Sequence, residues 1–130
     1  MTTYVAVVGS RDFTDYGTME KILDKLFRRK SISKPVIIVS GGARGADSLA
    51  ERYAANKHLQ VDVYNADWDR FGRSAGFIRN KTIVKKADIV VAFWDGTSRG
   101  TANTIEEACK NHLPVVIYNF ATAEMETRWP

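Results

Sequence analysis

The sequence predicts an α/β protein with a three-layer, Rossmann-like fold and a five-stranded, mostly parallel sheet. Apolar runs rich in Val and Ile alternate along the chain with segments whose apolar residues recur every three or four positions. The first pattern is typical of parallel strands covered on both faces, and the second is typical of amphipathic helices. Because alternating strands and helices join through right-handed crossovers, we expect helices on both faces of the sheet.

Five strands are expected, over residues 4–8, 35–39, 61–64, 87–94 and 114–118. Four of these runs are continuous and apolar, so they predict central strands. The run at 61–64 is shorter and contains Asp62. This run therefore predicts an edge strand that leaves one side in contact with water.

Four helices fill the intervals between these strands. The first, around residues 19–27, and the second, around 46–54, each carry an apolar stripe at the three-and-four spacing. A third is expected from about 74 to 86 and a fourth from about 101 to 112, with a loop over 65–73 before the third. Cys109 lies on the apolar face of the fourth helix, which predicts a small core residue.

Length and composition fit a single domain. The 130 residues have a hydrophobic content of 45%, which is enough for an ordinary core. We expect one domain over residues 1–120 and a tail over residues 121–130. Met125 and Trp129 stand among charged residues of that tail, where they either pack on a neighbouring subunit or belong to a frayed end.

Charge and cysteine content indicate the setting of the protein. Nineteen Lys and Arg against fifteen Asp and Glu give a net charge of +4, which favours anionic ligands without requiring a nucleic acid. The single cysteine cannot form an internal disulfide, and no apolar run is long enough to span a membrane. We therefore expect a cytoplasmic protein with no membrane partner.

Three strand-to-helix turns contain glycine, after the first, second and fourth strands. Free backbone N–H groups at such a turn, together with the positive end of the following helix, form a site for phosphate. Ligands of open parallel sheets bind beyond the carboxyl ends of the strands, where the strand order reverses. The predicted ligand-binding residues of these turns are Gly9, Ser10, Arg11, Asp12, Ser40, Gly41, Gly42, Ala43, Arg44, Gly45, Asp47, Trp94, Asp95, Ser98, Gly100 and Thr101.

The second turn, with the sequence GGARGAD, is the richest of the three. We interpret its glycines as leaving room for close approach of a phosphate, and Arg44 as a fixed positive charge. The turn lacks the Lys and Ser/Thr of a P-loop, and it follows the second strand rather than the first. Neither a P-loop NTPase nor an ordinary NAD dehydrogenase is therefore supported. The alternative for all three turns is that they are ordinary strand-to-helix connections, in which Asp47 and Thr101 only support helix starts.

The segment 66–80 combines aromatic residues with arginines. Trp68 is a candidate for stacking on a base, and Arg79, followed by Asn80, is a candidate for pairing with a phosphate. In the alternative, Trp68 and Phe71 cap the core while Arg79 binds a nearby carbonyl or carboxylate. Gly76 in the first turn of a helix indicates that ligand or backbone approaches closely there.

No metal site, cofactor or nucleophilic catalytic set is expected. His58 and His112 lie on different helices without ligand spacing. Asp67 with Asp69 is more typical of a solvated pair than of a magnesium site.

Four motifs taken in order resemble the SLOG superfamily, and most of all its YspA-like, YpsA-related branch. They are GSRDF from Gly9, SGGARGAD from Ser40, DW…G…AG…RN over residues 67–80, and FWDGTSRGT from Phe93. The resemblance implies a Rossmann-like domain, often oligomeric, that binds nucleotides or nucleotide-derived signals. The Lonely Guy phosphoribohydrolases and the DNA-processing protein DprA are more distantly similar.

The likeness to the Lonely Guy enzymes implies that Arg79 lies near a ribose, which makes it the candidate catalytic residue. Those enzymes carry a catalytic glutamate three residues after the threonine of a PGG-x-GT-x-x-E run, where this chain has Thr104. Glu106, two positions further on, is rotated by roughly 200° around the helix. The catalytic set is therefore unknown, and Asp12, Asp47 and Asp95 stay open as substitutes.

Three functions follow from these observations. The leading one is binding or sensing of a nucleotide or nucleotide-derived ligand, such as an ADP-ribose-like molecule or a nucleoside phosphate. The second is nucleoside-monophosphate phosphoribohydrolase (N-glycosidase) activity. The third, less favoured, is single-stranded nucleic-acid binding in a groove formed by basic residues. These basic residues are Arg28, Arg29, Lys30, Lys34, Lys81, Lys85 and Lys86.

Overall fold

The computed structural model describes residues 1–128 and contains one six-stranded sheet. The strands are β1 (Thr3–Gly9), β2 (Val36–Ser40), β3 (Gln60–Val63), β4 (Ile89–Trp94), β5 (Val115–Asn119) and β6 (Glu124–Arg128). Their order across the sheet is β3-β2-β1-β4-β5-β6, and all neighbouring pairs are parallel except β5 with β6. The predicted α/β, Rossmann-like fold and mostly parallel sheet are confirmed, with β3 at an edge as expected.

Helices cover both faces of this sheet. They are α1 (Tyr16–Phe27), α2 (Ala46–Asn56), α3 (Trp68–Phe71), α4 (Ala75–Lys86) and α5 (Arg99–Lys110), with a 3-10 turn over Gly72–Ser74 before α4. Buried residues of α1 and α2 pack into one apolar cluster with β1, β2 and β4, whereas those of α4 and α5 pack into a second. The two clusters lie on opposite faces of the sheet because successive strand residues point to opposite sides.

The sixth strand corrects the expected count of five and lies within the predicted tail. The Asn119 side chain accepts hydrogen bonds from the Ala121 and Thr122 amides, at 3.0 and 3.3 Å, which shapes the turn into β6. Met125 pairs with Tyr118 and is 55% exposed. All side chains of β6 are exposed, so the strand forms through its backbone pairing and leaves no apolar pattern in the sequence. The prediction for Trp129 lies outside the described residues.

Two local expectations are wrong. Residues 65–73 are not all loop, because Asp67 caps a short helix by accepting a hydrogen bond from the Arg70 amide at 3.1 Å. Cys109 is exposed rather than part of the core, since α5 turns Ile105 and Ala108 inward instead. Within residues 1–128, every helix is too short or too polar to cross a bilayer.

The strand order reverses between β1 and β4. From β1 the chain moves outward through β2 to β3, and then returns to the other side of β1 to form β4. The connections after β1 and β4 lead to helices on opposite faces, so the two turns separate at the carboxyl end of the sheet. A crevice opens at such a point.

Candidate functional site

A cleft of about 530 Å³ occupies this crevice. Its walls come from the turns after β1, β2 and β4 and from the start of α4. The predicted site residues that line it are Gly9, Ser10, Arg11, Asp12, Ala43, Arg44, Asp47, Trp68, Arg79, Asn80, Asp95, Ser98, Gly100 and Thr101. The predicted residues that do not line it are Ser40, Gly41, Gly42, Gly45 and Trp94.

The turns after β1 and β4 are joined by a hydroxyl and carboxylate network. The Ser10 Oγ lies 3.0 Å from the Ser98 Oγ and accepts a hydrogen bond from the Asp95 amide at 3.2 Å. Asp95 in turn accepts hydrogen bonds from the amide and the hydroxyl of Ser98, at 2.7 and 2.8 Å. Trp94 donates its indole N–H to the Ser98 carbonyl at 3.1 Å, so it anchors the turn from behind the cleft.

Glycines of the second turn make room for protein atoms. A Cβ on Gly41 would lie 2.7 Å from Arg79 Nη1 and 2.8 Å from Asp47 Oδ2. Gly42 has φ +73°, and a Cβ there would overlap the Asn65 side chain. Gly45 has φ +76°, and a Cβ there would overlap the Arg11 carbonyl. Each of the three glycines thus makes room for another part of the chain, and the loop presents Ala43 and Arg44 to the cleft. Close approach of a phosphate to these glycines stays a prediction.

Residues that line the cleft have unpartnered backbone amides at two places. Over residues 1–128, no hydrogen bond is donated by the amides of Arg11 and Asp12 after β1, or by those of Gly100 and Thr101 at the start of α5. The first turn of α5 also lacks a side-chain cap. Free N–H groups and the positive end of a helix dipole both favour an anion.

Arg79 and Asn80 join the start of α4 to the neighbouring turns. The Arg79 guanidinium donates from Nη1 to the Gly41 carbonyl and from Nε to Asn80 Oδ1. Asn80 is buried and donates to the Gly100 carbonyl at 3.2 Å and to Asn103 Oδ1 at 3.1 Å. Arg79 thus binds a carbonyl, as the alternative interpretation had it, while the rest of its side chain still lines the cleft.

The three carboxylates left open by the sequence differ in their surroundings. Asp12 is exposed. Although burial opposes its ionisation, hydrogen bonds from the amides and side chains of Ser98 and Thr97 lower the pKa of Asp95 to about 2. Burial raises the pKa of Asp47 to about 6, against the lowering effects of the Ala43 amide and the Arg79 charge. Asp47 is therefore the carboxyl group of the cleft that titrates near neutral pH.

No carboxylate of α5 takes the place of the hydrolase glutamate. Thr104, at the corresponding position, is buried, lines the cleft and donates its hydroxyl to the Gly100 carbonyl at 3.2 Å. Glu106 is exposed and pairs with Lys110 at 3.2 Å. The rotation expected for Glu106 agrees with this exposed position.

Aromatic side chains form the remaining wall. Trp68 is 50% exposed and Phe71 38% exposed, so neither caps the core. Trp68 Cη2 lies 3.4 Å from the position of a Cβ on Gly76, which identifies the close approach expected at that glycine as a side-chain contact. Phe77 and Arg73 also line the cleft and were not singled out as ligand-binding residues. Their position could have been suspected from the dense aromatic and arginine content of residues 66–80.

The basic residues proposed for nucleic acid do not line the cleft. One group follows the end of α1, and the other lies on α4. Since α1 and α4 pack on opposite faces of the sheet, these two groups extend from different layers of the molecule. Over the described part of the chain, no cluster of three or more His, Cys, Asp or Glu side chains could hold a metal ion.

Known proteins share this architecture. DNA processing protein A (DprA) from Streptococcus pneumoniae aligns with 89% of this chain at a TM-score of 0.72 and 21% identity, and this chain spans 50% of that one. The structural-genomics target TM1055 aligns with 88% of the chain at a TM-score of 0.61 and 22% identity, over 72% of its own length. At these identities the two structures support the fold alone.

Sequence comparison identifies the family of the chain as well as its fold. The gene 61 protein of Mycobacterium phage D29 is 35% identical over 119 residues, which cover 86% of this chain and 93% of the phage protein. The model of the YspA, cpYpsA-related SLOG family matches residues 3–71, which include the first two glycine turns. The predicted resemblance is thus confirmed, and the chain belongs to the YspA, cpYpsA-related SLOG family.

Proposed function

We propose that this protein binds a nucleotide or nucleotide-derived ligand, such as an ADP-ribose-like molecule or a nucleoside phosphate. The unpartnered amides at the start of α5 and after β1 carry the proposal, because they converge on one cleft and have no other acceptor among the described residues. A phosphate placed there would accept several N–H donors at once, next to the positive end of a helix.

The charge and the volume of the cleft support the same class of ligand. Arg11, Arg44, Arg73 and Arg79 line the cleft, and their guanidinium groups suit the paired oxygens of a phosphate. A volume of about 530 Å³ is in the range of small-molecule sites, and the cleft lies where the strand order reverses.

Isothermal titration calorimetry with ADP-ribose and AMP tests the proposal. Arg44 is exposed and forms no side-chain hydrogen bond or ion pair within residues 1–128, so Arg44→Ala removes a charge without disturbing the fold. Loss of a charge-assisted hydrogen bond costs about 1.5–3 kcal/mol, so we expect affinity to fall roughly 10- to 150-fold. Arg29→Ala, the same change at an exposed position outside the cleft, should leave affinity unchanged. A wild-type protein that binds neither probe, or equal losses in both variants, would contradict the proposal.

Asp47 favours a second candidate, cleavage of the N-glycosidic bond of a nucleoside monophosphate. Such cleavage passes through an oxocarbenium-like state that a nearby carboxylate stabilises. Asp47 is buried in the cleft, and its pKa of about 6 suits a group that exchanges protons near neutral pH. Under this candidate, chromatography should detect adenine released from AMP by the wild type and by Asp69→Asn, an exposed aspartate outside the cleft, but not by Asp47→Asn. Absence of free adenine with the wild type would remove this candidate.

Three further expectations stay predictions. They are binding of single-stranded nucleic acid, association into a homo-oligomer and a cytoplasmic location. The separation of the basic groups between two layers makes the nucleic-acid alternative weaker than the nucleotide one.

A further inference from the structure

The cleft has two chemically different walls. The turns after β1 and β4 supply amides, hydroxyls and Arg11, whereas the segment from α3 to the start of α4 supplies Trp68 and Phe77. These two aromatic side chains are 50% and 48% exposed. The other exposed large apolar side chains of the described residues lie outside the cleft. Exposed aromatic rings on one wall, opposite amides and an arginine on the other, suit a ligand with an apolar end and a polar end.

The backbone that carries Trp68 is fixed at both ends of its short helix. Asp67 caps α3 at the residue before Trp68, and the Gly72 amide donates to the Trp68 carbonyl. One edge of the ring lies near Gly76, because Trp68 Cη2 is 3.4 Å from the position that a Cβ on Gly76 would take. A side chain on a fixed backbone has less conformational entropy to lose when a second ring stacks on it.

Arg73 adds a polar group at the aromatic wall. It belongs to the 3-10 turn between α3 and α4 and lines the same cleft as Trp68. Its guanidinium can donate only, and ring nitrogens and carbonyl oxygens of a base can accept. The wall therefore offers a stacking face together with an edge donor, which are the two interactions that hold a base outside a duplex.

We propose that the cleft binds its ligand in one orientation, with the base against Trp68 and Phe77 and the phosphate at Arg11, Arg44 and the start of α5. This inference rests on the proposed function and assigns a side of the cleft to each part of the ligand. It implies that the ligand contains a planar ring and that a sugar phosphate without a base uses only half of the site.

Calorimetry with AMP and with ribose 5-phosphate tests the orientation. Trp68→Leu keeps an apolar side chain but removes the ring, and we expect it to weaken AMP binding roughly 5- to 150-fold. Ribose 5-phosphate, which has no base, should bind this variant and the wild type equally well. Phe71→Leu is the matched control, since Phe71 is an exposed aromatic residue of the same short helix that does not line the cleft. AMP, but not ribose 5-phosphate, should also quench tryptophan fluorescence in the wild type and not in Trp68→Leu.

The outcomes separate this inference from the proposed function. If the wild type binds AMP and Arg44→Ala weakens that binding while Trp68→Leu does not, the orientation is wrong and the proposed function stands. Equal weakening of AMP and ribose 5-phosphate by Trp68→Leu also overturns the orientation, because it shows that the ring acts through the fold. A wild-type protein that binds none of ADP-ribose, AMP and ribose 5-phosphate overturns both.

Discussion

Burial in the cleft removes most of the water around the Asp47 carboxylate, and few hydrogen bonds replace that water. It is 6% exposed, and its carboxylate accepts one hydrogen bond, from the Ala43 amide at 3.2 Å. Arg79 lies near enough to lower its pKa, but the two form no ion pair within 4.0 Å over the described residues. A buried carboxyl in this position is easier to protonate than the same group in water.

Asp47→Asn should change how stability depends on pH. With a pKa near 6 when folded and 3.8 as the ordinary value, the native state holds more protons than the unfolded state between these two values. The free energy of unfolding of the wild type therefore falls as the pH rises through this window, by up to about 3 kcal/mol. Asn keeps an acceptor oxygen without the charge. We expect the variant to be more stable than the wild type at pH 8 and nearly equal at pH 3.5.

Urea denaturation followed by circular dichroism measures this difference. Asp12→Asn provides the control, because Asp12 is exposed and should give parallel curves at both pH values. An Asp47→Asn protein that is less stable than the wild type at pH 8 would show that the ionised carboxylate stabilises the fold.

At this same scale the sequence predicts a glycine-rich turn at the site but not the reason for each residue. Of GGARGAD, Ala43, Arg44 and Asp47 line the cleft, whereas its three glycines do not. The roles of Gly41, Gly42 and Gly45 depend on Arg79, Asn65 and Arg11, which are distant in the sequence. A local pattern indicates that space is needed but does not tell whether a ligand or another part of the chain fills it.

Among the elements, α2 and α5 start in contrasting ways. α2 begins after Gly45, whose positive φ and contact with Arg11 bring the turn after β1 against the helix, and the Ala46 amide donates to the Ser10 carbonyl at 3.2 Å. α5 begins near Gly100, which has open space around it. The start of α2 thus packs against the turn after β1, whereas the start of α5 leaves its backbone N–H donors free.

Alanine at these two glycines should separate the roles. Gly45→Ala places a side chain in a strained conformation against the Arg11 carbonyl, and we expect it to cost at least about 1–3 kcal/mol of the free energy of unfolding. Gly100→Ala should be neutral or add about 0.5–1 kcal/mol, because alanine favours a helix. The midpoint of urea unfolding gives both values. Similar shifts in the two variants would contradict the packing role assigned to Gly45.

Helices and strands were predictable to the extent that they bury an apolar side. β1, β2, β4 and β5 have continuous apolar sequences, and the structure places each within two residues of its expected start. β6 buries nothing and was taken for part of the tail, because backbone pairing leaves no trace in side-chain pattern. The sequence does not predict α3 for a related reason, because its four residues are too few to show a helical period.

For the molecule as a whole, the layered architecture could be predicted better than the shape of the cleft. Alternating strands and helices restrict the topology, because crossovers are right-handed and the sheet must be covered on both faces. The residues of the cleft come from four separate segments, and their convergence follows from the reversal between β1 and β4. For the segment from Trp68 to Asn80 the sequence leaves two interpretations open, because its aromatic residues suit the core as well as a ligand site.

The residues that line the cleft come from segments spread between Val8 and Thr104, so the cleft exists only in the folded protein. A molecule that occupies it therefore shifts the folding equilibrium by mass action, by about 2.7 kcal/mol when its concentration is a hundred times its dissociation constant. A thermal-shift screen can therefore identify the ligand. A compound that raises the melting temperature in proportion to the logarithm of its concentration binds the folded chain in preference to the unfolded one.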